Sequence, residues 1–409
     1  MITPSYSPTA TERVLPRMAL DFTTGVLDPR VTLARLLNTA TRFNASGLVE
    51  IVNANLPRFD YDPFTLAPKG LLIEETRANL LLYSDQLNVA SWGKTASVTA
   101  DQLVSPDGTA NADLVSTTGN FQYVRQSITA TANAAYTQSF FVKPVSGSTT
   151  VRILLTNGPQ TEAAGSNFSL TGAGSLGTLF QVGTGALTGR SITRLANGWY
   201  LCTISGTVNT TTLFGYIDNH SNGTMSFGVW GAQLEAGAFA TSYIPTTTTS
   251  LTRNADDVSM TGTNFSDWYN ASEGTFVATA YAPNGQISFS RILEINDTTG
   301  NNRMLLSRNN AAISCIMTTG GASQASMAPT GTWSNNAIGT IAFAYKANDL
   351  SCAFSANSVA TDNAATIPTL TQMQIGAGAG AAMSNATFTK INFYPQRLTN
   401  SEVQSFSKV

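Results

Sequence analysis

Short apolar runs of strand length, separated by clusters of turn residues, recur along most of this 409-residue chain and limit what it can fold into. Between about Leu81 and Pro245 they include Tyr136–Lys143, Val151–Leu155 and Ser226–Leu234. Beyond Arg253 they include Gly274–Tyr281 and Ile338–Tyr345. Their length and their β-branched or aromatic content favour strands over helices. The 33 glycines and the Asn/Ser/Asp clusters supply the turns that many short strands require. Strands with so few intervening helices predict an all-β chain of sandwich or jelly-roll type.

Composition then excludes several function classes. Only 11% of residues are charged, and there is one histidine, His220. Histidine is the commonest general base and metal ligand near neutral pH, so the usual catalytic equipment is sparse. No GxSxG or HExxH motif occurs. The net charge is -2 and no long Lys/Arg run exists, which argues against a nucleic-acid partner. No apolar run reaches the roughly 20 residues that span a bilayer, which argues against membrane insertion. The opening residues MITPSYSPTATERVLPRMAL hold no apolar core of a signal peptide. Thr, Ser, Asn and Gly instead give a surface kept soluble by hydroxyls and amides. The three cysteines, Cys202, Cys315 and Cys352, show no zinc-ligand spacing. Cys202 reads as a small buried hydrophobe, and Cys315–Cys352 is the one disulfide pair weighed against free thiols. Reduced thiols fit assembly in a bacterial cytoplasm.

Three regions follow along the chain. Residues 1–80 carry seven scattered arginines and several prolines, and read as an extended arm with helix-compatible residues only from Arg30 to Leu37. Residues 81–250 form the first strand-rich block, ending in the polar run Pro245–Ser250, a stiff linker. Residues 251–409 form the second. The end, Leu398–Gln404, reads as a short helix with Asn400 as cap and Glu402 in its first turn.

The arm carries an ordered series of motifs: Ala19–Phe22, Leu27–Thr32, Thr41–Asn44, Gly47–Glu50, Pro57–Pro63 and Lys69–Glu75, closed by Arg77, Asn79 and Leu80. This series resembles the N-terminal region of a family of tailed-phage virion proteins, the tail or head fibres and spikes with carbohydrate-binding-module-like domains. Ser91-Trp92, Pro106–Ala110, Asn197–Tyr200, Trp230–Gly237 and Ala240–Thr246 look like the jelly-roll modules of those proteins. Residues 256–409 resemble, more loosely, a laminin-G or concanavalin-A-like lectin sandwich. The resemblance implies a protein of the virion surface, assembled in the host bacterial cytoplasm, homotrimeric, and attached to other virion proteins and to host surface polysaccharide. A phage-derived gene transfer agent particle fits as well. The alternatives are a purely structural decoration or tail component and, with less support, a glycan depolymerase. Depolymerase spikes carry a long β-helix with a fixed repeat, and no such period is visible.

Candidate sites follow from the same residues. Pro57–Pro63 alternates anions, aromatics and prolines. Arg42, Arg58, Asp60, Tyr61 and Asp62 are therefore the candidates for virion docking, the other reading being a β-arm packed within one subunit. Deleting residues 2–75 is then expected to leave the later domains folded. Glu75 and Arg77 share a strand face and form an expected ion pair. Trp92, Tyr123, Trp199 and Tyr200 are the candidate sugar platforms, since a flat ring stacks on the apolar face of a pyranose. Trp199 follows the turn signal Asn197-Gly198, which favours exposure, while in the resembled modules the Trp199-Tyr200 pair begins a strand and often packs inward. Trp230 lies in an apolar strand and reads as core. No catalytic residue and no cofactor is expected, and no metal site is assigned. The resembled sandwiches sometimes carry a structural calcium. The Asp/Asn clusters that could serve it, Asp218–Asn222, Asn254–Asp257 and Asp297, read more simply as turns.

Overall fold

The computed structural model describes residues 15–36, 40–282, 289–378 and 384–409. The chain is all-β, built as two antiparallel sandwiches. No described helix is long and apolar enough to cross a membrane.

The first sandwich lies between residues 93 and 236. One sheet runs in the order Ala186–Arg194, Tyr200–Thr207, Ala135–Ser146, Thr224–Ala236, Ala112–Thr118 and Ser97–Leu103. The other runs Ser175–Val182, Ala163–Ser169, Thr150–Thr156, Thr212–Asp218, Tyr123–Thr129 and Gly93–Lys94. Strand alternation turns Phe140, Val142, Cys202, Ile204 and Phe227 inward against Val124, Ile153, Phe168 and Ile217. The same alternation turns Thr137, Ser139 and Phe141 to the outer face.

The second sandwich is discontinuous in sequence. Its larger sheet runs Ala360–Asp362, Leu350–Phe354, Ile338–Lys346, Glu273–Tyr281, Ala386–Tyr394, Pro68–Ile73 and Phe59–Tyr61, and Met18–Asp21 also pairs with Ala386–Tyr394. The facing sheet runs Thr32–Ala34, Asp257–Thr261, Gln372–Ile375, Ser290–Asn296, Arg303–Asn309, Ala312–Thr319 and Ala322–Met327. Four strands of the expected arm thus belong to this sandwich. The segment is no free extended arm where the structure describes it, and the boundary at residue 80 does not separate two folding units. The physical reason is edge pairing. The strands beyond Arg253 leave sheet edges with unpaired N–H and C=O groups, and the early strands cover them. They also bring Met18, Leu20, Leu71 and Ile73 into the shared core. The Arg30–Leu37 helix expectation is corrected too: Thr32–Ala34 is a strand, and Leu37 lies outside the described residues.

Two chain crossings join the sandwiches, and they run antiparallel. Arg77–Asn79 leads into the first sandwich and pairs with Leu251–Arg253, which leads out of it. The polar run before that return strand lies along residues 81–84: Tyr83 N donates to Thr247 O at 2.8 Å and Thr246 Oγ1 to Leu81 O at 2.6 Å. At the C-terminus a helix spans Asn400–Phe406 as expected, but its cap is Thr399, one residue early. Thr399 Oγ1 accepts from Glu402 N, and Glu402 Oε2 accepts from Thr399 N, a capping box.

Candidate functional site: a polar cleft between the sandwiches

The hairpin Ala40–Phe43/Val49–Val52 fixes the geometry of the region between the sandwiches. It packs Phe43 and Val49 onto the outer face of the first sandwich, against Phe141, Trp199, Trp230 and Tyr243. This small second core needs a bulge. The register shifts between Ser139 and Phe141, and Gly231 sits there at φ 62°. A Cβ at Gly231 would meet the Phe141 ring at 2.8 Å, so glycine permits both the left-handed backbone and the close approach.

Beside this core lies a cleft of about 420 Å³. Its floor is the outer face of the first sandwich. The strand register sets Ser191 beside Thr203, and Thr203 beside Ser139, on three adjacent strands. Ser139 and Thr203 share a hydrogen bond of 3.2 Å. The next row places Thr193, Leu201 and Phe141 side by side. A hydroxyl row therefore borders an apolar row, with neighbouring strands about 4.8 Å apart. Gln233 closes the hydroxyl row, but its amide is occupied: Nε2 donates to Thr241 O and Ser242 O, and Oε1 accepts from Ile244 N. The opposite wall comes from the early strands and the second sandwich, and includes Asp60, Lys69, Tyr281, Asn336 and Thr387.

Behind the cleft sits a buried ionic cluster. Glu74 Oε2 accepts from Arg58 at 2.5 Å and from Ser242 Oγ at 2.7 Å, and forms an ion pair with Arg253 at 2.9 Å. Asp256 pairs with Arg58 and, at 2.8 Å, with Arg35. Burial alone would raise the Glu74 carboxyl, but Arg253 and Arg58 hold it at about 2. Asp60 behaves oppositely. Burial pushes its carboxyl up, and Lys69 and the Phe43 N–H only partly offset this.

The docking candidates therefore divide. Arg42, Asp60 and Asp62 line the cleft. Arg42 donates to Glu50 and to Phe59 O, while Asp62 accepts the Phe64 and Thr65 N–H groups of its own turn. Tyr61 is half-buried at the end of its strand. Arg58 is fully buried within the subunit, so it has no exposed surface with which to dock. Glu75 and Arg77 do form their ion pair, at 2.5 Å.

The aromatic platforms are corrected in three of four cases. Trp92, Trp199 and Tyr200 are buried, and a buried ring offers no face for stacking. Trp92 packs into the core of the first sandwich and donates to Leu82 O and Tyr83 O. Trp199 follows the expected turn at Gly198, yet its indole turns inward and donates to Val104 O at 3.0 Å. Tyr200 OH donates to Gly172 O. Tyr123 is half-buried on the far sheet, with its ring already beneath the Arg125 guanidinium at 4.7 Å. Trp230 is buried as expected. Lys69, Thr203 and Tyr281 were not picked out from the sequence. Alternation in Tyr136–Lys143 and Tyr200–Thr207 was the available signal for the floor, but nothing local marks which face is covered.

The acidic clusters already have protein partners. Asp218 takes the Arg152 guanidinium through both oxygens, Asp256 is held by arginines, and Asp297 accepts from Thr299 and Asn302. Among the described residues, no group of three or more His, Cys, Asp or Glu is arranged to hold a metal ion. Cys202, Cys315 and Cys352 are free and buried.

No family model and no curated relative matches the sequence. Solved structures give weak likenesses. The CBM40 module of Ruminococcus gnavus IT-sialidase bound to α2,3-sialyllactose aligns at 12% identity and TM-score 0.30, covering 34% of this chain and 84% of that one. Domains LG4-5 of the mouse laminin alpha1 chain align at 8% identity and TM-score 0.26, covering 77% and 91%. Trypanosoma rangeli sialidase in complex with sialic acid aligns at 10% identity and TM-score 0.27, covering 73% and 60%. Likenesses this weak say nothing of ligand or activity, and the fold rests on the strand pairing itself.

Proposed function

We propose that this protein is a virion surface component of the fibre or spike kind that attaches to host-surface polysaccharide without cleaving it. The virion assignment and the homotrimeric state rest on the motif series of the first 80 residues. The cleft carries the glycan reading: a hydroxyl row beside an apolar row, enclosed by a wall with amides and a tyrosine. Hydroxyls both donate and accept, so the floor matches sugar hydroxyls, and the apolar row suits the C–H face of a pyranose. A non-catalytic role is supported by the carboxylates of the cleft. Glycoside hydrolysis needs two carboxyl groups free to act on one bond. Glu74 is held by two arginines and Asp62 by its turn, which leaves Asp60 alone. The test is a glycan array probed with the full chain, together with a reducing-end assay on each bound glycan. Binding without release of reducing ends is expected. Cleavage would replace this reading with a depolymerase, and no binding at all would leave the structural component.

A further inference from the structure

Within the cleft one charged pair has unused bonding capacity. Asp60 is buried on strand Phe59–Tyr61, and its Oδ1 accepts from Phe43 N at 3.0 Å. Its Oδ2 receives no hydrogen bond among the described residues. Lys69 Nζ stands 3.8 Å from it, within ion-pair reach but beyond hydrogen-bond length. The same ammonium lies 5.2 Å from the centre of the Tyr281 ring, and no hydrogen bond from it is made within the described residues. A buried acceptor and a three-proton donor thus stand side by side, both lining the space above the Ser191–Thr203–Ser139 row.

We propose that Asp60 and Lys69 together grip a vicinal diol of an uncharged sugar residue, one hydroxyl donating to Asp60 Oδ2 and its neighbour accepting from Lys69 Nζ. This rests on the glycan reading above and narrows it to neutral polysaccharide. The chemistry of the pair selects the class. A uronate or sulfate would satisfy Lys69 but meet the Asp60 carboxylate at once. An amino sugar would satisfy Asp60 but meet the Lys69 ammonium. Two adjacent hydroxyls satisfy both, because a hydroxyl donates to one group and accepts from the other. Tyr281 brackets the ammonium and holds it over the site.

The experiment is binding of the full chain to a broad glycan array, including dextran, mannan and galactan as neutral polymers, hyaluronan and heparin as polyanions, and chitosan oligomers as polycations. It is repeated with Asp60→Asn and Lys69→Met. Asparagine keeps the oxygen that accepts from Phe43 N, and methionine keeps the Lys69 stem. Matching thermal unfolding midpoints establish that the variants are folded. The expected result is wild-type binding confined to neutral glycans, weakened roughly tenfold to a hundredfold in each variant, as loss of a hydrogen bond to a charged group implies. Binding of polyanions or polycations instead, or neutral-glycan binding unchanged in both folded variants, overturns this inference and leaves glycan attachment standing. Absence of wild-type binding to any glycan overturns attachment and this inference together. Should one variant fail to fold, the other decides.

Discussion

Glu74 shows how much a single side chain can hold. It sits where the early strands meet the return crossing, and its carboxylate takes Arg58, Arg253 and Ser242 together. Removing one partner of a buried ion pair leaves uncompensated charge and costs about 3–5 kcal/mol. Glu74→Gln should lose roughly that much in a urea titration at pH 7. The acid limb should change as well. The carboxyl of Glu74 falls from 4.5 to about 2 on folding, so its contribution is fully present above about 4.5 and is lost as pH falls toward 2. The variant should therefore lose less stability than the wild type across that window. Asp60 has the opposite sign. Its carboxyl is raised by burial, so whatever it contributes is present below 3.8 and is lost as pH rises through the raised value. A variant as stable as the wild type at pH 7, with an unchanged acid limb, would mean that the cluster holds little together.

At the scale of elements, the early strands are structural parts of the second sandwich. Deleting residues 2–75 removes Phe59–Tyr61 and Pro68–Ile73 from one sheet and Thr32–Ala34 from the other. It also removes Leu71 and Ile73 from the core and strips Arg35, Arg58 and Glu74 from the ionic cluster. The truncated chain should therefore keep a folded first sandwich and lose cooperative folding of the second, against the expectation from sequence that both would survive. Limited proteolysis decides it: a resistant fragment near residues 80–250 with rapid loss of residues 257–394 is the expected pattern. The strands themselves were legible, because Tyr136–Lys143 and Gly274–Tyr281 advertise their period and length. Their partners were not. Nothing local in Gly70–Ile73 says that its neighbour is Ala386–Phe388, more than 300 residues away. The cleft shared this fate. Asp60 was singled out for its neighbours in sequence, but the role proposed for it depends on Lys69 and on a floor contributed by residues 139 to 203. Trp199 was left between two readings for a related reason: a turn at Gly198 predicts where the chain bends, not which way the next ring points, and the structure settles it inward.

At the scale of the whole molecule, the proposed attachment through one polar cleft would be weak, since each hydrogen bond to sugar replaces one to water and nets only about 0.5–1.5 kcal/mol. Several copies per particle can raise avidity by a factor of roughly 100–10,000. On the proposed virion reading, cell attachment by particles carrying this protein should therefore be competed by free host polysaccharide and, with the proposed diol rather than an ion as ligand, should persist at high ionic strength. Attachment that collapses in modest salt would point to charge recognition instead. The discontinuous second sandwich also imposes an order on biosynthesis. Its first four strands leave the ribosome long before the strands they must pair with, and the whole first sandwich is synthesised in between. The nascent chain therefore carries Leu20, Leu71 and Ile73 without a core while the inserted domain folds, which makes this the interval of greatest exposure to aggregation. Production of the intact protein is then limited by how long those strands wait, and a chaperone that shields the first 80 residues during translation would raise the yield of folded chain more than any change within the inserted domain.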